Sequence, residues 1–198
     1  MRIVAATNNQ GKVKEIKAIL GDLGFEVVSQ GELGLDLDVD ETGTTFEENA
    51  LLKAQAAATA FGMCALADDS GLCVDALDGA PGVYSARYAG EGATDAMLIE
   101  KLLKVMKDVP KEKRAAQFVS AVAFVTPDGE KFTARGSVEG FITEAPSGNG
   151  GFGYDPVFFS TELQKTYADM SDEEKNRVSH RYRALMELRK ILSSQYLK

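Results

Sequence analysis

Met63-Cys64-Ala65-Leu66-Ala67-Asp68-Asp69-Ser70-Gly71 is the stretch whose reading decides the fold. The apolar run, ended by Ser-Gly, predicts a short buried strand entering a turn. Side chains alternate along a strand, so Asp68 and Asp69 face opposite sides as long as strand geometry lasts. A tight turn at Ser70-Gly71 brings both to the strand's C-terminal edge, where open α/β sheets bind ligands. Carboxylates so placed suit a hard divalent cation and proton abstraction from water. The same four residues also suit a plain solvated turn, given the turn preferences of Asp, Ser and Gly.

Working outward, the chain alternates strands and helices. Arg2–Ala6 predicts a strand, Thr7–Lys12 a polar turn, and Val13, Ile16, Leu20 and Leu23 one buried helix face. A second strand is expected at Phe25–Val28, followed by a long acidic loop or irregular extended segment over Gly31–Gly43. Thr45-Phe46-Glu47-Glu48 fits a capping box ahead of a helix carrying Ala50, Leu51, Ala54, Ala58 and Phe61. Beyond the Asp-Asp strand, Leu72–Ala76 predicts another strand, and an irregular Gly/Pro segment runs through Gly92. Thr94 can cap a helix to about Lys107. Phe118–Val125 and Lys131–Phe141 flank Pro127-Asp128-Gly129, a hairpin signal. Ser171-Asp172-Glu173-Glu174 is a second capping box, ahead of a helical region ending near Ser194. The pattern predicts an α/β fold with a mixed sheet in one domain, 1–198, or two closely packed lobes.

Composition narrows the class. The chain has 198 residues, 44% hydrophobic and 26% charged, the ordinary balance of a soluble globular protein. The N-terminus turns polar too soon for a signal peptide, and no run reaches the length of a membrane span, so a cytoplasmic protein without membrane attachment is expected. Cys64 and Cys73 sit in or beside apolar segments and form no CxxC pair, which agrees with reduced, buried side chains. The net charge of −8 is concentrated in Ala18–Leu52, where Asp22, Glu26, Glu32, Asp36, Asp38, Asp40, Glu41, Glu47 and Glu48 face no Lys or Arg. An acidic chain is a poor partner for long nucleic acid, whose binding rests on neutralising many phosphates. A small phosphorylated ligand held by a few cations and a metal remains compatible.

Several motif matches lack their context. Gly148-Asn149-Gly150-Gly151-Phe152-Gly153 satisfies G-x-G-x-x-G, but a dinucleotide fingerprint must open a helix. Here Asp155 precedes Pro156 and is biased away from α geometry. Asp38-Val39-Asp40-Glu41-Thr42 resembles a haloacid-dehalogenase-type nucleophile loop but follows no continuous apolar strand. There is no G-x-S-x-G elbow and no Walker loop, and a single histidine makes a zinc site a poor reading.

Separate segments with complementary chemistry survive. Thr7, Asn8, Asn9, Gln10, Gly11 and Lys12 lie where a strand gives way to a helix, so backbone N–H groups, the helix dipole and Lys12 can face phosphate. A plain capped βα turn would look the same. Asp40, Glu41, Asp68 and Asp69 offer oxygen ligands for Mg²⁺, which commonly takes one or two carboxylates plus substrate phosphates. Phe152, Gly153, Tyr154 and Asp155 offer a base clamp, and Lys175, His180 and Arg181 supply donors late in the chain.

These pieces, in this order, resemble the inosine/xanthosine triphosphate pyrophosphatases, house-cleaning enzymes acting on deaminated purine nucleotides. The matching segments are Thr7–Lys12, Glu41-Thr42-Gly43 with Phe46, Glu48-Asn49-Ala50 and Lys53, and Ala67–Leu72. They continue through Gly79–Tyr88, Gly151-Phe152-Gly153-Tyr154-Asp155-Pro156, and Glu174-Lys175-Asn176 with Ser179-His180-Arg181. Asn8 stands where the family often has Gly, a position at which Asn tolerates left-handed backbone. The resemblance implies a two-lobed α/β fold with a curved mixed sheet flanked by helices and a nucleotide cleft between the lobes. It also implies a homodimer and cleavage of ITP, dITP and XTP between the α- and β-phosphates.

Carried onto this chain, Thr7–Lys12 and Lys53 would hold the triphosphate, and Glu41 or Asp40 would hold Mg²⁺ together with Asp69. Asp69 would also activate water, and Ser70 would line the site. Phe152, Gly153 and Tyr154 would flank the base, while Asp155, Lys175, His180 and Arg181 would read it. A phosphatase releasing orthophosphate and a nucleotide-binding module without turnover are the alternatives, separable by product identification and by turnover with Mg²⁺.

Overall fold

The computed structural model describes residues 1–196. In chain order the regular elements are β1 (Arg2–Ala5), α1 (Gln10–Asp22), β2 (Glu26–Ser29), α2 (Phe46–Phe61) and β3 (Ala65–Val74). Then come α3 (Asp95–Val105), β4 (Ala115–Val125), β5 (Lys131–Ile142), β6 (Phe158–Ser160), β7 (Lys165–Thr166), α4 (Asp172–Val178) and α5 (His180–Tyr196). The strands form one seven-stranded sheet in the order β2-β1-β3-β4-β5-β6-β7. β1 pairs parallel with β2 and β3, whereas β5–β6 and β6–β7 are antiparallel, so the sheet is mixed as expected.

One expectation fails at the decisive stretch. No turn follows Asp68-Asp69: β3 runs unbroken through Ser70-Gly71 to Val74 and absorbs the separate strand expected at Leu72–Ala76. Gly71 uses no left-handed φ. The physical reason is the ladder to β4: β1 pairs with β3 only at Ala65 and Leu66, and beyond them the hydrogen bonds to β4 outweigh the local turn preference of Asp, Ser and Gly. The acidic pair is therefore in the middle of a strand.

The chain divides into two compact units. The first comprises Met1–Asp69, Ser120–Gly136 and the chain from Ser179 onward. Its strands β1, β3 and β4 are buried on both faces, and residue parity sorts the core into two clusters. Ile3, Leu66, Val122 and Phe124 pack with Ile16, Ile19 and Leu20 of α1 and Leu185 and Leu188 of α5. Their strand neighbours Val4, Ala65, Ala67, Ala123 and Val125 pack instead with Ala50, Ala54, Ala57 and Ala58 of α2. The small side chains on both sides let α2 lie close to the sheet. α5 also approaches closely: a Cβ at Gly136 would stand inside the backbone at His180 and Ala184.

The second unit comprises Ser70–Val119 and Ser137–Val178. Leu72, Leu98, Leu102, Met106, Phe118, Phe158 and Tyr167 form its core, with the Phe118 ring 4.5 Å from Phe158 and 5.2 Å from Tyr167. Arg114 is buried there without a carboxylate. Its guanidinium donates to the carbonyls of Met106 (2.7 Å), Ile142 (2.7 Å) and Thr143 (2.9 Å), closing the end of α3 and fixing the end of β5.

Both capping boxes form. Thr45 and Glu48 exchange hydrogen bonds at the start of α2, and Ser171 and Glu174 do so ahead of α4. The expected C-terminal helical region is two helices, α4 and α5.

Candidate active site

Strand parity decides what each aspartate meets. Asp68 shares Leu66's side of β3, toward α1 and α5, and Asp69 shares Ala67's side, toward α2. Asp68 is 0% exposed and ringed by donors. Lys12 Nζ lies 2.7 Å from Oδ1, Arg181 Nε lies 3.3 Å from Oδ2, and Ser120 Oγ donates to Oδ2 at 2.7 Å. Arg181 is 1% exposed and also pairs with Glu15 of α1. Burial alone would raise the Asp68 pKa, but Arg181 and Lys12 outweigh it and hold this carboxyl well below the usual carboxylate range. Burial likewise lowers the Lys12 pKa, against the pull of Asp68. Asp68 thus anchors Lys12 through a buried ion pair.

Asp69 is 5% exposed and meets a different cation. Lys53 Nζ lies 2.6 Å from Glu41 Oε1 and 3.4 Å from Asp69 Oδ1, and it donates to the Asp68 carbonyl at 2.9 Å. Burial pushes the Asp69 pKa up, and the nearby Lys53 and Lys12 only partly offset it. The Lys53 pKa ends raised: burial opposes the charge, but Asp69 and Glu41 more than compensate. Asp69 Oδ2 is buried and has no hydrogen-bond partner among the described residues.

Local structure fixes these groups. Asn9 caps α1 by accepting from the Lys12 N–H at 3.1 Å, and Thr7 Oγ1 accepts from the Asn9 N–H at 3.2 Å. The first-turn amides at Gln10 and Gly11 lack intrahelical acceptors. Asn8 needs no left-handed backbone; its side chain accepts from Gln30 at 2.5 Å and donates to the Leu37 carbonyl at 3.4 Å. The loop carrying Glu41 is held by α2, because Gly43 N–H donates to Asn49 Oδ1 at 2.8 Å. A Cβ at position 43 would stand 2.6 Å from that oxygen, so only glycine fits. Asp40 is exposed, whereas Glu41 is half-buried on Lys53.

The second unit assembles another group of the expected residues. Asp155 Oδ2 accepts from the Phe152 N–H at 2.9 Å and from Lys175 Nζ at 2.6 Å. Lys175 Nζ also sits 4.5 Å from the centre of the Phe152 ring, a cation–π contact. The Gly153 N–H donates to Asp95 Oδ2 at 2.9 Å. Tyr154 is buried and its hydroxyl donates to the Ser85 carbonyl at 2.7 Å, which makes it a strut of this loop, with Phe152 the more exposed ring.

Residues 3–191 match the sequence profile of the Ham1 family. This chain belongs to the Ham1 family. It is 50% identical over 189 residues to the dITP/XTP pyrophosphatase of Halalkalibacterium halodurans, covering 96% of this chain and 97% of that one. Against the dITP/XTP pyrophosphatase of Bacillus subtilis it is 50% identical over 191 residues, covering 96% of each chain. The solved Staphylococcus aureus Ham1 protein superposes with a TM-score of 0.85 at 47% identity, covering 98% of this chain and 100% of that one. A Coxiella burnetii HAM1 protein gives a TM-score of 0.86 at 41% identity, covering 98% and 99%.

In this Ham1-family chain, Glu41 and Asp69 fit a hard divalent cation. Both carboxylates converge on one ammonium, and Asp69 keeps an unpartnered buried oxygen. No group of three or more His, Cys, Asp or Glu that could hold a metal occurs among the described residues. The protein would thus contribute two carboxylates, the number Mg²⁺ commonly takes when substrate oxygens and water complete its shell.

Of the expected donors, Lys175 stands with Asp155 and Phe152, His180 is buried at the start of α5, and Ser70 is half-buried on β3. Arg181, expected to read the base, pairs with Asp68 and Glu15. There the two carboxylates offset the cost of burying its charge. Sequence reasoning missed Glu15, Ser120 and Asp95, and gave no role to Asn49 and Ser85 beyond their place in matching motifs. For the first two a signal existed: each is a lone polar residue on an otherwise apolar face or run. Asp95 looked like an ordinary acid in the first turn of a capped helix.

Proposed function

We propose that this chain hydrolyses deaminated purine nucleoside triphosphates (dITP, ITP and XTP) to the monophosphate and pyrophosphate, keeping them out of DNA and RNA. The observation that carries the reading is Asp69, a buried carboxylate with one oxygen toward Lys53 and the other unpartnered. It occurs in a chain half-identical, over nearly its whole length, to proteins named dITP/XTP pyrophosphatases.

In the reaction, a water oxygen forms a bond to the α-phosphorus while the bond from that phosphorus to the bridging oxygen breaks, its electrons leaving with pyrophosphate. Asp69 aligns the water and takes its proton, as a buried carboxylate with one unpartnered oxygen can. Lys12, supported by the first-turn amides at Gln10 and Gly11, faces the phosphates, and Lys53 offsets charge developing on the leaving group. Mg²⁺ held by Glu41 and Asp69 would supply further positive charge to the phosphate oxygens.

Phe152 offers a face to the base, and Lys175 is a donor-only group beside it. Hypoxanthine and xanthine present an acceptor at O6 and adenine a donor, so adenine leaves Lys175 unmatched. We assign the protein to the cytoplasm as a homodimer on family likeness; among the described residues no helix is long and apolar enough to cross a membrane.

The test is turnover of ITP, dITP, XTP, GTP and ATP with Mg²⁺, with identification of products. The expected result is pyrophosphate release from ITP, dITP and XTP at kcat/KM on the order of 10²-fold or more above ATP. Orthophosphate as the sole product, or equal turnover of ATP, would sink the proposal.

A further inference from the structure

We infer that Lys53 and the divalent metal compete for the same two carboxylates, so that metal and triphosphate bind synergistically, each enabling the other. The inference rests on the pyrophosphatase reading above, in which Glu41 and Asp69 hold the metal.

An ammonium has three N–H donors and no acceptor. Lys53 meets three acceptors: Glu41 Oε1 at 2.6 Å, the Asp68 carbonyl at 2.9 Å and Asp69 Oδ1 at 3.4 Å. Its donors are therefore all engaged, and it has none to offer a phosphate without releasing one of these oxygens. Its side chain is only 13% exposed, so water is a poor substitute for the lost partners. Two of the three acceptors are the carboxylates that fit the metal. Lys53 thus acts as a built-in counter-ion that keeps Glu41 and Asp69 together, while Asn49 holds the Glu41 loop through Gly43.

A dication arriving on these carboxylates comes up against the Lys53 charge, which opposes it strongly in so enclosed a place. Triphosphate oxygens remove that opposition by accepting the ammonium as it leaves Glu41 and Asp69. Linkage then requires the metal to tighten triphosphate binding by the same factor as triphosphate tightens metal binding. Lys12 is built differently: its partner Asp68 is locked beneath Arg181 and Ser120 and is not among the carboxylates that fit the metal.

The test is Mn²⁺ affinity, measured by calorimetry or by loss of the free-ion paramagnetic resonance signal, without nucleotide. Wild type, Lys53→Met, Lys53→Gln, Lys53→Arg, Glu41→Gln and Asp69→Asn are compared, with thermal unfolding to select folded variants. Lys53→Met or Lys53→Gln should bind Mn²⁺ about tenfold or more tightly than wild type, within the usual range of site coupling. Lys53→Arg, which keeps the charge, should stay within about threefold of wild type. If the neutral variants bind Mn²⁺ no more tightly while Glu41→Gln and Asp69→Asn weaken it, the competition is refuted and the metal site stands. If neither carboxylate variant changes Mn²⁺ affinity, the metal assignment itself fails and takes the inference with it.

Discussion

Replacing Gly151 by alanine tests whether the Phe152–Asp155 loop is a preorganised base site. Gly151 has φ +70°, a conformation that costs an L-residue roughly 1–2 kcal/mol. An added Cβ would overlap Asp155 Oδ2 and stand 2.8 Å from its Cγ. Asp155 cannot simply retreat, because that oxygen holds Lys175 Nζ at 2.6 Å and the Phe152 N–H at 2.9 Å. Both partners of the ion pair are buried, with side-chain exposures of 5% and 4%, and separating such a pair costs about 3–5 kcal/mol. The two effects together come to about 4–7 kcal/mol if the loop keeps its path, and less if it relaxes.

Gly153→Ala is the matched control. It has φ +61° but nothing within 4 Å of an added Cβ, so it carries the backbone cost alone. The difference between the two substitutions, about 3–5 kcal/mol, corresponds to on the order of 10²–10⁴ in affinity if binding must restore the ion pair. Initial-rate kinetics with ITP should show a KM for Gly151→Ala far above that of Gly153→Ala. Inhibition by inorganic pyrophosphate, which carries no base, should stay near wild type in both. A folded Gly151→Ala protein whose KM matches that of Gly153→Ala would falsify the reasoning.

Asp69→Asn keeps shape and loses basicity, so kcat should fall by at least about 10²-fold in a folded protein; near wild-type turnover would remove Asp69 from the chemistry. Asp68→Asn should act on stability first. The folded-state pKa of Asp68 lies below its ordinary 3.8, so its stabilising contribution is complete above that value and fades as pH falls through the lower folded one. In metal-free protein the variant should be less stable by about 3 kcal/mol at neutral pH, with the gap in Tm closing only in strong acid; a gap that is constant with pH would contradict the ion-pair account. Asp95→Ala should raise KM for ITP about threefold to tenfold by releasing the Gly153 N–H, and Asp95→Asn should restore most of it. Thr94→Ala removes the α3 cap and should lower Tm while leaving KM alone; equal KM effects from positions 94 and 95 would make Asp95 merely a helix residue.

Much of the architecture was legible in the amino-acid order, because it rests on local rules. Periodicity marks α1 and α2, the Thr45/Glu48 and Ser171/Glu174 boxes mark helix starts, and Pro127-Asp128-Gly129 marks the hairpin between β4 and β5. The ordered motif set identified the family, and alternation along a strand already placed Asp68 and Asp69 on opposite faces. What only the tertiary structure decided is that the strand does not stop there. Beyond Leu66, where pairing with β1 ends, β4 still supplies ladder hydrogen bonds that outweigh the local turn preference.

The assignment of partners was likewise beyond the sequence. Lys12 and Glu15 come from α1, Arg181 from α5 and Ser120 from β4, and nothing in their spacing says that Arg181 faces Asp68. That choice belongs to packing. Once α5 lies against the sheet at Gly136, the guanidinium at its first turn is buried, and Asp68 and Glu15 offset the cost of burying its charge.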